Sequence, residues 1–472
     1  MSIPRAGDGE EALALVRPRA ERPSVIRYRV MAFLCVLSFL TYFDRVCIGR
    51  AQEEIQRDLG ITSSQMGIIL GVFWFSYSLF EIPGGWLGDR YGARITLTRI
   101  VLCWSLFTAL TGAATGFVSL FVWRFLFGAG EAGAFPNMAL IQSRWLPALS
   151  RARAGGLLWL VARWGGAFSP PLFGALLRAF DSDTFRDTVN DVSGLSILSG
   201  IAPWRLAFWI AGTAGVVWCV AFFLWFRDDP ARKKSVNAAE LALIRGGESS
   251  SPDRDREPRG GHGAPDRETW RRLVRCRSLW ALGFLYVFVS FGWSFFVSWM
   301  PRYLKEIHGV PFDRSEWVTG LPLFLGGISC LAGGFLCDWL VGRTGRKRLW
   351  RAFFPVCGYL VSASAMIALP WADSYEKAVL LLAIAGAAND FGQGANWASI
   401  VDVGGIYAGT AAGLINMVGN MGNAFQPWIG DAISSAHGWT PVFGTYACSY
   451  LCAASMWIWI DPTRAFTETR EE

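Results

Sequence analysis

Residues Phe121–Trp145 read FVWRFLFGAGEAGAFPNMALIQSRW, a stretch apolar enough to cross a lipid bilayer that nevertheless contains Arg124 and Glu131. In a helix these two charges are two turns apart, on one face and roughly 10 Å from each other. A charge in lipid costs roughly 3 kcal/mol or more, so both side chains should face a protein interior or a water-filled path. The pattern therefore indicates either a site that handles anions and protons or a buried salt bridge between helices.

The glycines of this stretch, Gly128, Gly130 and Gly133, have the spacing of a dinucleotide-binding loop. That loop requires a preceding β-strand and a soluble βαβ unit. Here the glycines lie in what we predict to be one long apolar helix ahead of Pro136, so close approach of another helix is the better interpretation.

The composition is that of a polytopic membrane protein. Of the 472 residues, 53% are hydrophobic and only 17% are charged, whereas about a quarter of a typical soluble domain is charged. The net charge of +7 resides mainly in the loops, which indicates an orientation signal and not a nucleic-acid partner. Ten cysteines and three histidines are scattered without a CxxC pair, so we expect no cofactor, metal site or disulfide framework.

Apolar stretches near 20 residues long predict twelve transmembrane helices in an all-α fold. They lie at 29–50, 65–87, 95–114, 117–142, 153–178, 204–226, 279–302, 317–341, 351–370, 376–400, 406–432 and 440–460. The predicted domains are an N-terminal tail, a six-helix bundle, a linker, a second six-helix bundle and a C-terminal tail, at 1–28, 29–226, 227–278, 279–460 and 461–472. The polar linker should be largely flexible, with a short surface helix near Ala238–Ile244.

Arginine and lysine collect at every second connection, for example at Arg90 and Arg94, whereas the loop Asp181–Asp191 is acidic. Since positive loops stay on the cytoplasmic side, we predict a multi-pass protein of the plasma (inner) membrane. Both tails and the linker are then cytoplasmic.

An internal repeat supports the division into two halves. Gly84-Gly-Trp-Leu-Gly-Asp89 follows the second predicted helix, and Gly333-Gly-Phe-Leu-Cys-Asp338 follows the eighth. Duplicated halves are typical of secondary transporters, which bind substrate near the midplane between them.

With these residues the sequence resembles the major facilitator superfamily, whose signature loop G-x-x-x-D-R-x-G-x-R matches Gly85–Arg94. More narrowly it resembles the anion:cation symporter branch, which includes bacterial sugar-acid/proton symporters. The motifs that carry this are Tyr42-Phe-Asp44-Arg45, Tyr77 with Glu81-Ile-Pro83, Arg124-x6-Glu131-Ala-Gly-x-Phe-Pro136, and Ala408-Gly-Thr-x-x-Gly413-x-x-Asn416. The resemblance implies two pseudo-symmetric six-helix halves and, instead of an enzyme, a proton-coupled symporter that works by alternating access.

The same resemblance assigns residues to a site. It implies a substrate cavity lined in the first half by Tyr42, Arg45, Tyr77 and Arg124, and in the second half by Trp397 and Asn416, with Asn396 and Asn420 as their neighbours. It also implies that Asp44 and Glu131 take part in proton coupling. Asp89, Arg90, Arg94 and the repeat's Asp338 are implied to form a latch at the cytoplasmic side, unless they serve only as a stabilising turn.

Two intramembrane charges, Arg163 and Asp390, depart from the family pattern. They either retune the substrate site, for example towards a second carboxylate or a longer acid with Asp390 joining the proton path, or pair with each other as a structural bridge. The sequence leaves both interpretations open.

The residue types fit an anion carrier, because arginine holds a carboxylate with two hydrogen bonds and tyrosine, asparagine and tryptophan can meet hydroxyls and carbon skeletons. Each aromatic residue alone would be explained by ordinary packing. We expect a small organic anion, most typically an aldonate, hexuronate or aldarate, carried with protons, or alternatively Na+, by a monomer in the lipid bilayer. The alternatives are phosphate, a di- or tricarboxylate or an aromatic acid as substrate and, least favoured, a membrane sensor that transports nothing.

Overall fold

The computed structural model describes residues 22–182, 201–245, 265–309 and 312–467. Within these ranges every regular element is a helix. Most of the N-terminal tail and of the acidic loop Asp181–Asp191, the linker residues 246–264 and the last five residues lie outside the described part of the chain.

The described residues of the first half form seven helices. They are α1 (Ile26–Leu59), α2 (Ser63–Tyr91), α3 (Ala93–Thr111), α4 (Phe117–Glu131), α5 (Ala134–Trp145), α6 (Arg151–Asp181) and α7 (Pro203–Trp225). The linker contributes α8 (Ala238–Arg245), which confirms the predicted short helix, and α9 (Arg267–Arg275), which was not predicted. The second half comprises α10 (Arg277–Ser298), α11 (Met300–His308), α12 (Phe312–Thr344), α13 (Lys347–Ala368), α14 (Tyr375–Phe391), α15 (Gln393–Gly404), α16 (Ala408–His437) and α17 (Trp439–Met456).

These helices make twelve crossings. Nine stretches of the described chain are long and apolar enough to span a bilayer. One of them, Tyr375–Asn423, has 49 residues, about twice the length that a bilayer requires, and holds the tenth crossing and most of the eleventh. The remaining two crossings are α6 and α17. Large apolar side chains cover the outside, such as Val118 at 71% and Val217 at 69% exposure, as expected for a surface that faces lipid.

The fourth crossing is not the single helix that the sequence predicted. Helix α4 ends at Glu131 and α5 begins at Ala134, because Gly133 adopts a left-handed conformation with φ 86°. A Cβ atom at Gly133 would lie 2.5 Å from the Cα of Gly84 in α2. The glycines therefore serve the close helix approach that was predicted, and they also break the helix beside Glu131.

The two halves approach each other closely where α2 crosses α16. A Cβ atom on Gly85 would lie 2.2 Å from the carbonyl oxygen of Gly409, so only glycine permits this approach. In the other half a Cβ atom on Gly334 would lie 2.3 Å from the carbonyl oxygen of Ala152. The second glycine of each repeated Gly-Gly pair therefore allows the two halves to pack closely.

Gly85→Ala should force this contact apart, since overpacking typically costs about 1–3 kcal/mol. We expect a cysteine placed at the buried Ala411, in a background without the native cysteines, to react with a maleimide about tenfold faster in Gly85→Ala. Gly71→Ala is the matched control in the same helix, because nothing lies within 4 Å of a Cβ atom there. Equal labelling rates in Gly85→Ala and Gly71→Ala would contradict the close approach.

Candidate site between the two halves

A cavity lies between the two halves. The first half contributes aromatic rings and two arginines to its wall, and the second half contributes mainly amides and aromatic rings. The lining residues are Tyr42, Arg45, Trp74, Tyr77, Phe135, Trp159, Arg163, Tyr286, Val289, Ser290, Trp293, Gln393, Asn416, Gly419, Asn420 and Asn423.

Arg45 of α1 lies on this wall, and only part of its hydrogen-bonding capacity is used. Its Nε donates to Oε1 of the fully buried Glu131 at 2.7 Å. Its buried Nη2 makes no hydrogen bond within the described chain, nor does the second oxygen of Glu131. The guanidinium lies 4.2 Å from the ring centre of Tyr77 and 5.3 Å from that of Tyr42. Arg45 therefore keeps donors available for an anion in the cavity.

Glu131 was expected to share its helix face with Arg124, but Arg45 is the residue with which it forms an ion pair. Arg124 lies away from the cavity wall, 2% exposed, with its guanidinium 4.6 Å from the ring centre of Phe127. Its Nε has no hydrogen-bond partner among the described residues. The predicted coupling residue Asp44 is likewise buried at 3% exposure, with one oxygen unpartnered there. These two residues lie behind Arg45 and Glu131, off the wall itself.

Arg163 of α6 forms the second charged pair at the cavity. Its Nε and Nη2 donate to the two carboxylate oxygens of Asp390 at 2.8 and 2.9 Å. Asn389 also donates to Asp390, at 2.8 Å. Because α6 belongs to the first half and α14 to the second, this pair joins the halves, and its arginine lies on the cavity wall.

Amides form the opposite wall. Asn416, Asn420 and Asn423 line it from one face of α16, and Nδ2 of Asn423 donates to Oδ1 of Asn420 at 3.3 Å. Gln393 at the start of α15 donates to the hydroxyl of Tyr286 at 3.1 Å. These groups can both donate and accept hydrogen bonds, which suits hydroxyls of a polar molecule.

Two residues expected in the cavity are packed behind it. Trp397 is fully buried, and its Nε1 donates to Oε1 of Gln142 across the halves at 3.1 Å. Asn396 is also fully buried and donates to the hydroxyl of Tyr359 at 2.6 Å. Both support wall residues and do not line the cavity.

At one end of the bundle, here called the aspartate end and defined by Asp89, Asp338 and Asp402, charged groups tie the halves together. Asp89 accepts from the backbone N–H groups of Gly409 and Thr410, at 3.2 and 2.6 Å, at the start of α16. A carboxylate there is favoured by the positive end of the helix dipole.

Asp338, the second aspartate of the repeat, makes the equivalent contact from the second half to the first. Asp338 accepts from the backbone N–H groups of Ala152 and Arg153, at 3.3 and 2.7 Å, at the start of α6. Nη1 of Arg151 donates to Oδ1 of Asp402 across the halves at 2.7 Å. Each half therefore caps a helix of the other, and the aspartate end is closed.

The predicted arginines of the signature loop do not cross between the halves. The Arg94 side chain donates to the carbonyl oxygen of Phe223, with its Nε at 2.9 Å, and its backbone N–H donates to Asp228 at 3.0 Å. Arg90 is exposed and lies 5.2 Å from the ring centre of Trp86. Among the predicted latch residues, Asp89 and Asp338 make the contacts between halves.

The family model described as Major Facilitator Superfamily matches residues 34–427 of this chain. The chain belongs to the major facilitator superfamily. It is a multi-pass membrane protein and a transporter instead of an enzyme, as the resemblance implied.

Two relatives are similar to this superfamily member over most of their length. A probable sulfoacetate transporter of Cupriavidus necator is 32% identical over 83% of either chain. A probable galactarate/D-glucarate transporter of Bacillus subtilis is 27% identical over 90% of this chain and 89% of its own. A solved proton:xylose symporter with bound 6-bromo-6-deoxy-D-glucose is 16% identical, with a TM-score of 0.65, over 93% of this chain and 96% of its own, which supports the fold.

Several wall residues of this superfamily member were not found from the sequence. Asn423 follows Asn416 and Asn420 at helical spacing, so the face of α16 was a usable signal. The others carried none, because they are aromatic or polar residues among many of the same kind: Trp74, Phe135, Trp159, Tyr286, Ser290, Trp293 and Gln393.

Proposed function

We propose that the chain is a proton-coupled symporter of a small organic anion, most typically a sugar acid, in the plasma (inner) membrane. The observation that carries this proposal is the buried Arg45 on the cavity wall, which is held by Glu131 through Nε while Nη2 has no partner in the described chain. The two relatives support the substrate class, since they are named as probable transporters of sulfoacetate and of galactarate and D-glucarate.

The binding step exchanges one anion for another. A substrate carboxylate replaces Glu131 at Arg45 and can take two charge-assisted hydrogen bonds from the planar guanidinium. Tyr42 and Tyr77 flank this arginine, and Asn416 and Asn420 face it with groups that can bind hydroxyls. Glu131, left buried without a cation, then takes up a proton, because a charge in that position is costly.

The transport step moves the two bundles, 29–226 and 279–460, as units. We assign the aspartate end, both tails and the linker to the cytoplasm, since the basic connections lie there. With that end closed by Asp89 and Asp338, substrate enters the cavity from the outside. Opening the latch releases the acid and then the proton. The protein works as a monomer, and Na+ is the alternative coupling ion.

A binding screen of the purified full-length protein tests the substrate class. We expect sugar acids such as galactarate and galactonate to raise the melting temperature, because a ligand that binds only the folded state stabilises it. Neutral galactitol is the matched control and should not do so. Stabilisation by phosphate or benzoate alone, or by no anion at all, would contradict the proposed substrate.

A further inference from the structure

The two carboxylates at the cavity occupy equivalent positions in the two halves. Helices α5 and α15 are both 12 residues long, and each follows a break that contains a glycine, Gly133 or Gly392. The shift in numbering that carries α5 onto α15 also carries Gly133 onto Gly392 and Glu131 onto Asp390. Glu131 and Asp390 therefore occupy equivalent positions, at the break in the fourth membrane crossing of each half.

Both carboxylates hold an arginine of the cavity wall. Glu131 binds Arg45 at 2.7 Å, and Asp390 binds Arg163 at 2.8 and 2.9 Å. Both arginines line the same cavity. If Arg45 exchanges Glu131 for a substrate anion, the equivalent exchange is open to Arg163.

The rings of Tyr42 and Trp159 lie between the two arginines. The guanidinium of Arg45 is 5.3 Å from the centre of Tyr42, that of Arg163 is 5.5 Å from the centre of Trp159, and the two rings are 6.3 Å apart. A flexible chain of several carbons lying over these rings can therefore approach both cations.

A purely structural role explains the Arg163–Asp390 pair less well. A buried ion pair contributes little net stability, because desolvation offsets the attraction of the charges. When a substrate carboxylate replaces Asp390 at Arg163, the attraction that offsets the desolvation of the guanidinium is kept. Asp390 would also keep a donor after displacement, since Asn389 donates to it at 2.8 Å.

On these grounds we infer that Arg163 is a second anion-binding position and that the preferred substrate is a small acid with two anionic groups. One group binds Arg45 and the other binds Arg163 in place of Asp390. This inference rests on the proposed function and specifies its substrate class.

The test compares galactarate with galactonate, which have the same carbon chain and differ in a carboxylate against a hydroxymethyl group at one end. We expect calorimetry on the full-length protein to give at least about tenfold tighter binding of galactarate, since tenfold corresponds to about 1.4 kcal/mol and a hydrogen bond to a charged group contributes about that much or more. In the charge-neutral double variant Arg163→Gln/Asp390→Asn, the ratio of the two affinities should fall to about one. Arg205→Gln removes a pair with Asp58 far from the cavity and should keep the ratio of the wild type.

Asp390→Asn alone keeps the inference falsifiable if the double variant does not fold. It leaves Arg163 without its counter-ion, so the preference for galactarate should rise above that of the wild type. An unchanged or smaller preference would overturn the inference, as would equal wild-type affinities or a preference that survives in the double variant. Failure of the wild type to bind either acid would instead overturn the proposed function.

Discussion

Arg45→Gln is expected to weaken binding of the acid at least about 100-fold. The substitution removes two charge-assisted hydrogen bonds to the substrate, each worth about 1.5 kcal/mol or more, and every 1.4 kcal/mol is about tenfold in affinity. The measurement is calorimetry with the tightest-binding acid of the screen. Arg205→Gln, which removes an arginine remote from the cavity, is the control and should bind normally.

Arg45→Gln also leaves Glu131 buried without a cation, so loss of binding must be separated from loss of folding. The double variant Arg45→Gln/Glu131→Gln removes both charges and should remain folded, as judged by its melting temperature, while still failing to bind. Affinity within a few-fold of the wild type in either variant would show that the anion binds elsewhere.

Glu131→Gln is expected to separate binding from proton coupling. The amide keeps the shape of the side chain but cannot exchange a proton, so the variant should bind the acid and exchange labelled for unlabelled substrate across a membrane. Driven by a gradient of one pH unit, the wild type can accumulate substrate about tenfold per coupled proton. Glu131→Gln should reach an inside-to-outside ratio of only about one.

Counterflow and gradient-driven uptake are measured in the same proteoliposomes, so that inactive protein is recognised. Glu306→Gln is a matched control, because it neutralises an exposed glutamate that pairs with Arg302 in α11 and should leave accumulation intact. Normal accumulation by Glu131→Gln would remove this residue from the proton path and leave it a structural partner of Arg45.

The crossings were predictable because long apolar runs have few alternatives in a bilayer. The cost of a charge in lipid also placed Glu131 correctly in the protein interior. Periodicity did not identify the ion-pair partner, because a helix face fixes a direction and not the residue of the neighbouring helix that is met there. Arg45 is that partner because of how α1 packs against the other helices of the first bundle, which no local pattern encodes.

The break at Gly133 was missed for a related reason. Gly and Ala in an apolar run are compatible with a continuous helix, and the left-handed Gly133 lies where Gly84 of another helix approaches, a contact that the local sequence does not encode. The prediction for Trp397 was wrong in a different way. The resemblance implied a cavity residue, whereas its indole is fully buried against Gln142. For Arg163 and Asp390 the sequence left two interpretations. The observed bidentate pair, whose arginine lies on the cavity wall, is the starting point of the dianion inference.

The measurement that tests the central claim most directly is uptake of labelled galactarate and galactonate by proteoliposomes that contain the wild-type protein. With the lumen more alkaline than the medium, at least one of the acids should accumulate above its external concentration, and a protonophore should abolish the accumulation. Accumulation that ignores the pH gradient but follows a Na+ gradient would contradict proton coupling, and no mediated flux of either acid under any gradient would contradict sugar-acid transport.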